Sequence, residues 1–270
     1  MRLISNLFVR TKAAAAVIAA ALLICVATAA AAMRVSPMVI EMTTTGSGAI
    51  ARIEVQNLNQ ARLPFEIRVT RVDYDENGNA TETPADDDFL VFPPQGLVPP
   101  GGRQVARIQW VGPPEIPASR SYYFSVNQLP IQLDAQSGTQ PAGQVQIVYH
   151  MKALVVVAPP NATPNVQATD AHAGEYQPAV PPGTTPPPPV PGVQITLHNS
   201  GRRHAMMSAL RWVVDGPGRD GRPQQLIFTQ DELNRIIGTG YVGPLTGIRT
   251  FHLPVPAPFG AGPLRVRFMQ

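Results

Sequence analysis

The sequence predicts an all-β chain of two β-sandwich domains behind an export signal. Three observations lead there. Short β-rich runs separated by turn residues fill the region from Arg34 to Pro159. No stretch of that half repeats its apolar residues at helical spacing. After a proline-rich interruption, the same strand-and-turn pattern resumes and runs almost to the C-terminus.

The first unit is placed at 33–158. Its runs are Val35 to Met42, Ala49 to Asn57, Leu63 to Tyr74, Phe89 to Phe92, Arg103 to Val111, Ser121 to Gln128 and Val145 to Val157, about seven strands. Asp75-Glu76-Asn77-Gly78-Asn79 is a turn, and Pro99-Pro100-Gly101-Gly102 reverses the chain. The second unit is placed at 159–270. Gln167 to Gly192 holds eight prolines and is expected to be an extended loop that contributes nothing to a core. Strands are expected at Val193 to His198, Met206 to Val214, Gln225 to Phe228, Ile248 to Leu253 and Leu264 to Phe268. Thr229 followed by Glu232 is a capping-box pattern, which predicts one short helix from Asp231 to Ile237, stopped by Gly238.

Residues 1–32 have the order of a Sec-type cleavable signal peptide. Arg2, Arg10 and Lys12 form a basic start, Ala13 to Ala29 is apolar, and Ala30 to Ala32 meet the small-residue cleavage preference, so the exported chain is expected to begin near Met33. The other reading is an uncleaved membrane anchor, for which the alanine-heavy run is at the lower edge of spanning length. Cys25 follows Ile24, where a lipoprotein signal wants a small residue.

Removing the signal changes the charge argument. Three of the 21 lysines and arginines lie in it and none of the 18 acids, so the remainder is formally neutral. A neutral remainder gives no net electrostatic attraction to nucleic acid or to an anionic membrane. Cys25 is the single cysteine and leaves with the signal, so disulfides and thiolate metal sites are not expected.

Three stretches of the first unit resemble the PapD-like periplasmic chaperones of pilus assembly. Leu97-Val98-Pro99-Pro100-Gly101-Gly102-Arg103 is similar to their turn-then-strand element. Ser119 to Pro130 is similar to their sixth strand, and Gln144 to Lys152, running on to Val155–Pro160, to their seventh strand and hinge. Val193 to Gly201 and Gly243 to Arg249 match the second domain more loosely. The resemblance implies two immunoglobulin-like domains, the second with one short helix. It also implies a non-catalytic periplasmic chaperone that stabilises pilus or fimbrial subunits by donor-strand complementation and delivers them to an outer-membrane usher. In that mechanism the seventh strand fills the groove left by a subunit's missing strand.

Such a strand needs large apolar residues at every second position. Val145, Ile147, Tyr149 and Met151 meet the requirement, with Gln146, His150 and Lys152 on the other face. Each side chain buried in a client would contribute on the order of 1.5–3 kcal/mol before ordering costs. The same alternation suits a strand facing its own core, and both readings stand on sequence alone. The resemblance also implies a basic pair that anchors the client's C-terminal carboxylate. Lys152 is the sole lysine beyond the signal and lies near one anchor, although an ungapped count from Pro159 places Leu154 there. A solvated lysine on an exposed face is the alternative. At the other anchor, on the first strand, stands Met38, with Arg34 the nearest basic residue of the same parity. Arg107 falls at the family's interdomain charge network, but Arg120 and Ser121 stand where its acidic partner is expected.

No catalytic, cofactor or metal site is expected. His150, His172, His198, His204 and His252 have no ligand spacing, and His198 and His204 are expected at the surface beside an Asn-Ser-Gly turn. Asp86-Asp87-Asp88 lacks the alternation of a calcium loop and is expected in a solvated loop. Two function classes therefore compete: the assembly chaperone, and an immunoglobulin-like pilus or surface structural subunit. An unpaired apolar donor edge is an aggregation hazard, so a self-capping homodimer is a further expectation.

Overall fold

The computed structural model describes residues 33–131 and 147–270. Residues 1–32, where a signal peptide is expected, and Val145 lie outside the described residues. Among the described residues eighteen strands form two β-sandwiches in series, joined at Ala158–Pro159.

The first sandwich is built from β1 (Met33–Ser36), β2 (Val39–Thr43), β3 (Ile50–Asn57), β4 (Leu63–Tyr74), β5 (Ala80–Pro84), β6 (Phe89–Phe92), β7 (Gln95–Val98), β8 (Arg103–Trp110), β9 (Arg120–Gln128) and β10 (His150–Ala158). One sheet has the order β1-β3-β8-β6. The other has the order β2-β10-β9-β4-β5, with β7 alongside the start of β4. The expected first run, Val35 to Met42, is two strands. Pro37 has no backbone N–H to continue a ladder, and the chain changes sheets there, β1 pairing with β3 and β2 running parallel to β10.

Alternation along each strand sends one side chain in two to the core. Met33, Val35, Ile53, Val55, Ala106 and Ile108 face inward from one sheet, and Phe65, Ile67, Val69, Tyr122, Phe124, Val126, Val155 and Val157 from the other. Phe89 sits among Trp110, Tyr122 and Phe124 at 4.8–5.2 Å between ring centres, each pair edge-to-face. The Asp86–Asp88 cluster is not simply solvated. Asp86 accepts from the Val69 N–H and pairs with Arg68, while Asp88 accepts from the Tyr122 hydroxyl at 2.6 Å. Those carboxylates stitch the loop to the aromatic core.

The second sandwich comprises β11 (Val166–Tyr176), β12 (Val190–Asn199), β13 (Ala205–Met206), β14 (Arg211–Pro217), β15 (Pro223–Phe228), α1 (Gln230–Ile237), β16 (Tyr241–Val242), β17 (Gly247–Pro254) and β18 (Arg265–Met269). Its sheets are β11-β12-β17 and β15-β14-β18, with β13 and β16 paired beside them. Thr229 caps α1 as expected: it accepts from the Glu232 N–H, and the Glu232 carboxylate accepts from the Thr229 N–H.

The expectation of a coreless loop from Gln167 to Gly192 is corrected. Val166 to Tyr176 is a strand paired along β12, and Val166, Ala168, Ala171 and Ala173 pack on the second core. All eight prolines lie from Pro178 onward, so averaging the window hid a proline-free strand in its first third.

A buried asparagine organises the loops of each sandwich. The Asn57 amide donates to the carbonyls of Ala61, Val98 and Pro99. Asn199 donates to Arg203 and Gly243 and accepts from the N–H groups of Asn165 and Gly201. Each side chain thereby substitutes for strand pairing that a loop cannot supply.

Phe124 is fully buried among these rings. Phe124→Ala should therefore destabilise the first sandwich by about 3–5 kcal/mol. Urea unfolding followed by the fluorescence of Trp110 measures this, and a loss below about 1 kcal/mol would contradict the packing described.

Candidate functional site

β10 is two kinds of strand in one. From Leu154 to Ala158 it lies between β9 and β2, with partners on both sides. From His150 to Ala153 it has β9 alone, because β2 begins its pairing at Val39, opposite Leu154. The first bond on that side is donated by Leu154 N–H to the Met38 carbonyl, at 2.8 Å. The Tyr149 carbonyl accepts from the Gln128 N–H, so Tyr149 turns its peptide groups toward β9. By strand alternation His150 and Lys152 turn theirs the other way, to a side that no strand covers among the described residues.

The side chains follow the same gradient. Val157, Val155 and Ala153 are sealed in the first core. Met151 and Tyr149 continue that stripe but are only partly buried against it. Ile147 is 65% exposed. The stripe passes from core to rim; the strand itself begins at His150, later than the expected run, so Ile147 lies in solvent ahead of it, and Val145 lies outside the described residues.

Lys152 projects from the opposite face of β10. Its ammonium donates to the Glu82 carboxylate at 2.6 Å and sits 5.4 Å from the centre of the Tyr123 ring. Glu82 also accepts from the Thr70 hydroxyl, and these two donors hold its carboxyl below the ordinary range. Lys152 thus already has an anion, on a half-exposed rim where such a pair is worth little and exchanges readily. Arg34 is not brought to it. Met33 and Val35 point into the core, so Arg34 points outward from β1, on the opposite sheet of the sandwich. Met38 and Leu154 are brought together by the hydrogen bond above, so both expected anchor positions meet, and both are apolar. Arg107 is likewise on the far sheet, bonded to Gln109 and outside the junction between sandwiches.

The junction rests on contacts between residues far apart in the chain. Val72, Leu154, Val156 and Tyr241 form a small buried cluster, with Tyr74, Tyr123 and Met206 packed on it. The Tyr241 ring lies 4.9 Å from Tyr74, its hydroxyl accepts from Ser121 at 2.6 Å, and the Tyr74 and Tyr123 hydroxyls are 2.7 Å apart. Burial raises the pKa of both Tyr74 and Tyr241. On β2, Glu41 is bonded by the Arg203 guanidinium, and its other oxygen is 3.5 Å from His204 Nε2. Arg202 donates to the carbonyls of Pro117 and Ile116, and its own carbonyl accepts from Ser119. Arg249 of β17 packs on the Asp75–Asn79 turn at Gly78, where any β-carbon would collide with its guanidinium. A cleft of about 620 Å³ remains between Arg71–Glu76, Pro117–Ser121 and the 243–248 loop.

His204 overturns an expectation. It is 3% exposed, not a surface residue, and its ring stacks on Tyr241 at 5.7 Å with a 10° tilt. Sequence carries no signal for this, since Glu41 and Tyr241 meet His204 only once both sandwiches are folded. Burial pushes the His204 imidazole down to about 4, reinforced by Arg203 and opposed by the Glu41 carboxylate.

No protein-family model and no curated protein sequence matches the chain. Solved structures do share its fold. A chain from a chaperone–tip adhesin complex described as vital for synergistic activation of CFA/I fimbriae biogenesis aligns with a TM-score of 0.50 at 10% identity. That alignment covers 88% of this chain and 99% of the other. The class 5 fimbriae chaperone CfaA aligns with a TM-score of 0.50 at 9% identity over the same shares. The chain therefore has the two-domain, immunoglobulin-like PapD-type fold found among fimbrial chaperones. At that identity the likeness speaks for the fold.

The buried histidine gives the junction a pH dependence of definite sign. His204 titrates near 6.5 when unfolded and about 4 when folded, so the unfolded chain binds the extra proton first. Its contribution is complete above pH 6.5 and is lost as pH falls toward 4, by on the order of 2–3 kcal/mol. His204→Phe keeps the stack on Tyr241 but cannot titrate. Urea midpoints across that window should fall less steeply for the variant, and parallel curves would refute the assignment.

Proposed function

We propose that this chain is a periplasmic chaperone that holds pilus or fimbrial subunits by lending them the open part of β10, and passes them to an outer-membrane usher for assembly. One observation carries the reading: the apolar stripe Ala153–Met151–Tyr149 leaves the core at the start of β10, where no strand covers one edge among the described residues, and Ile147 stands exposed just ahead of it. A sheet that lacks a strand can pair with that edge, while its groove takes Tyr149, Ile147 and, in the extension, Val145. The fold shared with fimbrial chaperones supports it. No step of this work makes or breaks a covalent bond, so the reading assigns no catalytic residue.

Lys152 is the candidate anchor for a client's terminal carboxylate. Such a carboxylate would displace Glu82 from an ammonium that is already placed and half-exposed. Arg34 does not complete this anchor, since it faces away on the other sheet. Until a client arrives, the free edge is the surface on which an empty protein would pair with its own copy.

Co-expression with a pilus or fimbrial subunit whose soluble recovery depends on the wild-type chain tests the proposal. An Ile147→Asp/Tyr149→Asp variant should lower recovered soluble subunit at least tenfold, because two charges cannot enter an apolar groove. The variant's own melting temperature should change little, as both positions lie at the rim. Unchanged recovery would sink strand donation. Separately, Lys152→Ala should weaken subunit binding, whereas Glu82→Gln should leave it equal or stronger; the reverse order would make the lysine a mere surface pair.

A further inference from the structure

The neutral net charge of the exported chain conceals a segregated surface. Side chains pointing outward from β1, β3, β8 and β6 include Arg34, Arg52, Arg103 and Arg107, all exposed, and a single carboxylate, Glu54. Arg52 and Arg107 are direct cross-strand partners. Like charges placed opposite each other destabilise a sheet, and neither has a carboxylate in its own row. Phe92 closes that row on the edge strand β6, at 71% exposure. Leu90 and Ile50 flank Gln109 two residues along, both largely open to solvent. Arg103 reaches Glu54 only at 3.7 Å, a solvated pair of little strength.

We propose that this sheet face is a docking surface for an anionic phospholipid bilayer. The face is the regular outer side of a sheet, so its four guanidiniums and its apolar side chains stand on one broad front. Headgroup phosphates would neutralise the Arg52–Arg107 pair, which no carboxylate among the described residues does. Phe92 and Leu90, on the outermost strand, would enter the boundary between headgroups and acyl chains, where aromatic and apolar residues beside arginines are favoured. Each basic residue near such a surface adds to the attraction, and several together make weak binding measurable. The face lies on the sheet opposite β10, so a docked molecule keeps the open strand edge turned away from the membrane. Net charge alone argued against a membrane; the arrangement of the charges argues for one.

Sedimentation with vesicles tests this on the chain from Met33 onward. Vesicles of phosphatidylethanolamine with about a third phosphatidylglycerol should retain the protein at low salt and release it in 0.5 M NaCl. Pure phosphatidylcholine vesicles should not retain it. Arg52→Gln/Arg107→Gln should lower the partition coefficient about tenfold to thirtyfold. Its melting temperature should be equal or higher, since a repulsion is removed. Phe92→Ser should weaken partition at unchanged salt dependence. Partition indifferent to phosphatidylglycerol, or to the paired arginine change, would overturn the proposal. So would soluble poly-glutamate binding more tightly than the vesicles, which would assign the face to an acidic polypeptide.

Discussion

The structure depends on a mismatch in length between two adjacent strands. β2 accompanies β10 over five residues, Leu154 to Ala158, and β10 continues upstream without it. Where both neighbours are present, β10 is an inner strand and its side chains are core. Where one is missing, its backbone groups and half-covered side chains are available to something else. An edge of this kind is usually blunted by charge, proline or a bulge. Here His150 and Lys152 interrupt the apolar character, the imidazole bonded to Asn127 of β9 and the ammonium to Glu82 of β5. Among the described residues the edge is thus left open, which is why it carries the functional reading.

A second constraint is the angle between the sandwiches. An apolar patch as small as Val72, Leu154, Val156 and Tyr241 would not by itself fix two domains. Directional bonds add what the patch lacks. The Ser121–Tyr241 hydroxyl pair, the Glu41–Arg203 bridge and the Arg202 bonds to Pro117 and Ile116 each require one relative orientation. They replace the charge network that Arg107 was expected to join. Hydroxyl and backbone partners do the same work without burying an uncompensated charge in the centre.

Much of the fold was legible in the sequence because it is written in short-range pattern. Alternation located the strands from Ile50 to Tyr74, and Thr229 with Glu232 located the helix. Legibility failed where a window mixed two structures: Val166–Tyr176 was folded into the prolines that follow it, and Val35–Met42 read as one strand across Pro37. For the site, alternation picked out Ile147, Tyr149 and Met151 but left open whether they faced a core or a groove. That depends on where β2 starts relative to β10, which no local pattern records. His204 and the tyrosine cluster were invisible for the same reason, their partners being tens to hundreds of residues away. Charge failed differently: a sum over the chain cannot show that arginines gather on one sheet.

The open edge and the junction meet on β2. Ile40 and Met42 turn into the first core, while Glu41 between them turns outward beside Val156 and holds Arg203 and His204 of the second sandwich. The strand that ends the free segment of β10 is therefore the strand that grips the other domain. If the grip failed, Leu154 and Val156 would lose their cover from Tyr241, and the apolar surface along β10 would lengthen by two residues on its second face. Keeping one face covered leaves Met151 and Tyr149 as the half-covered apolar residues beside the open end of β10, so the junction, though remote from them, limits how much apolar surface that strand presents.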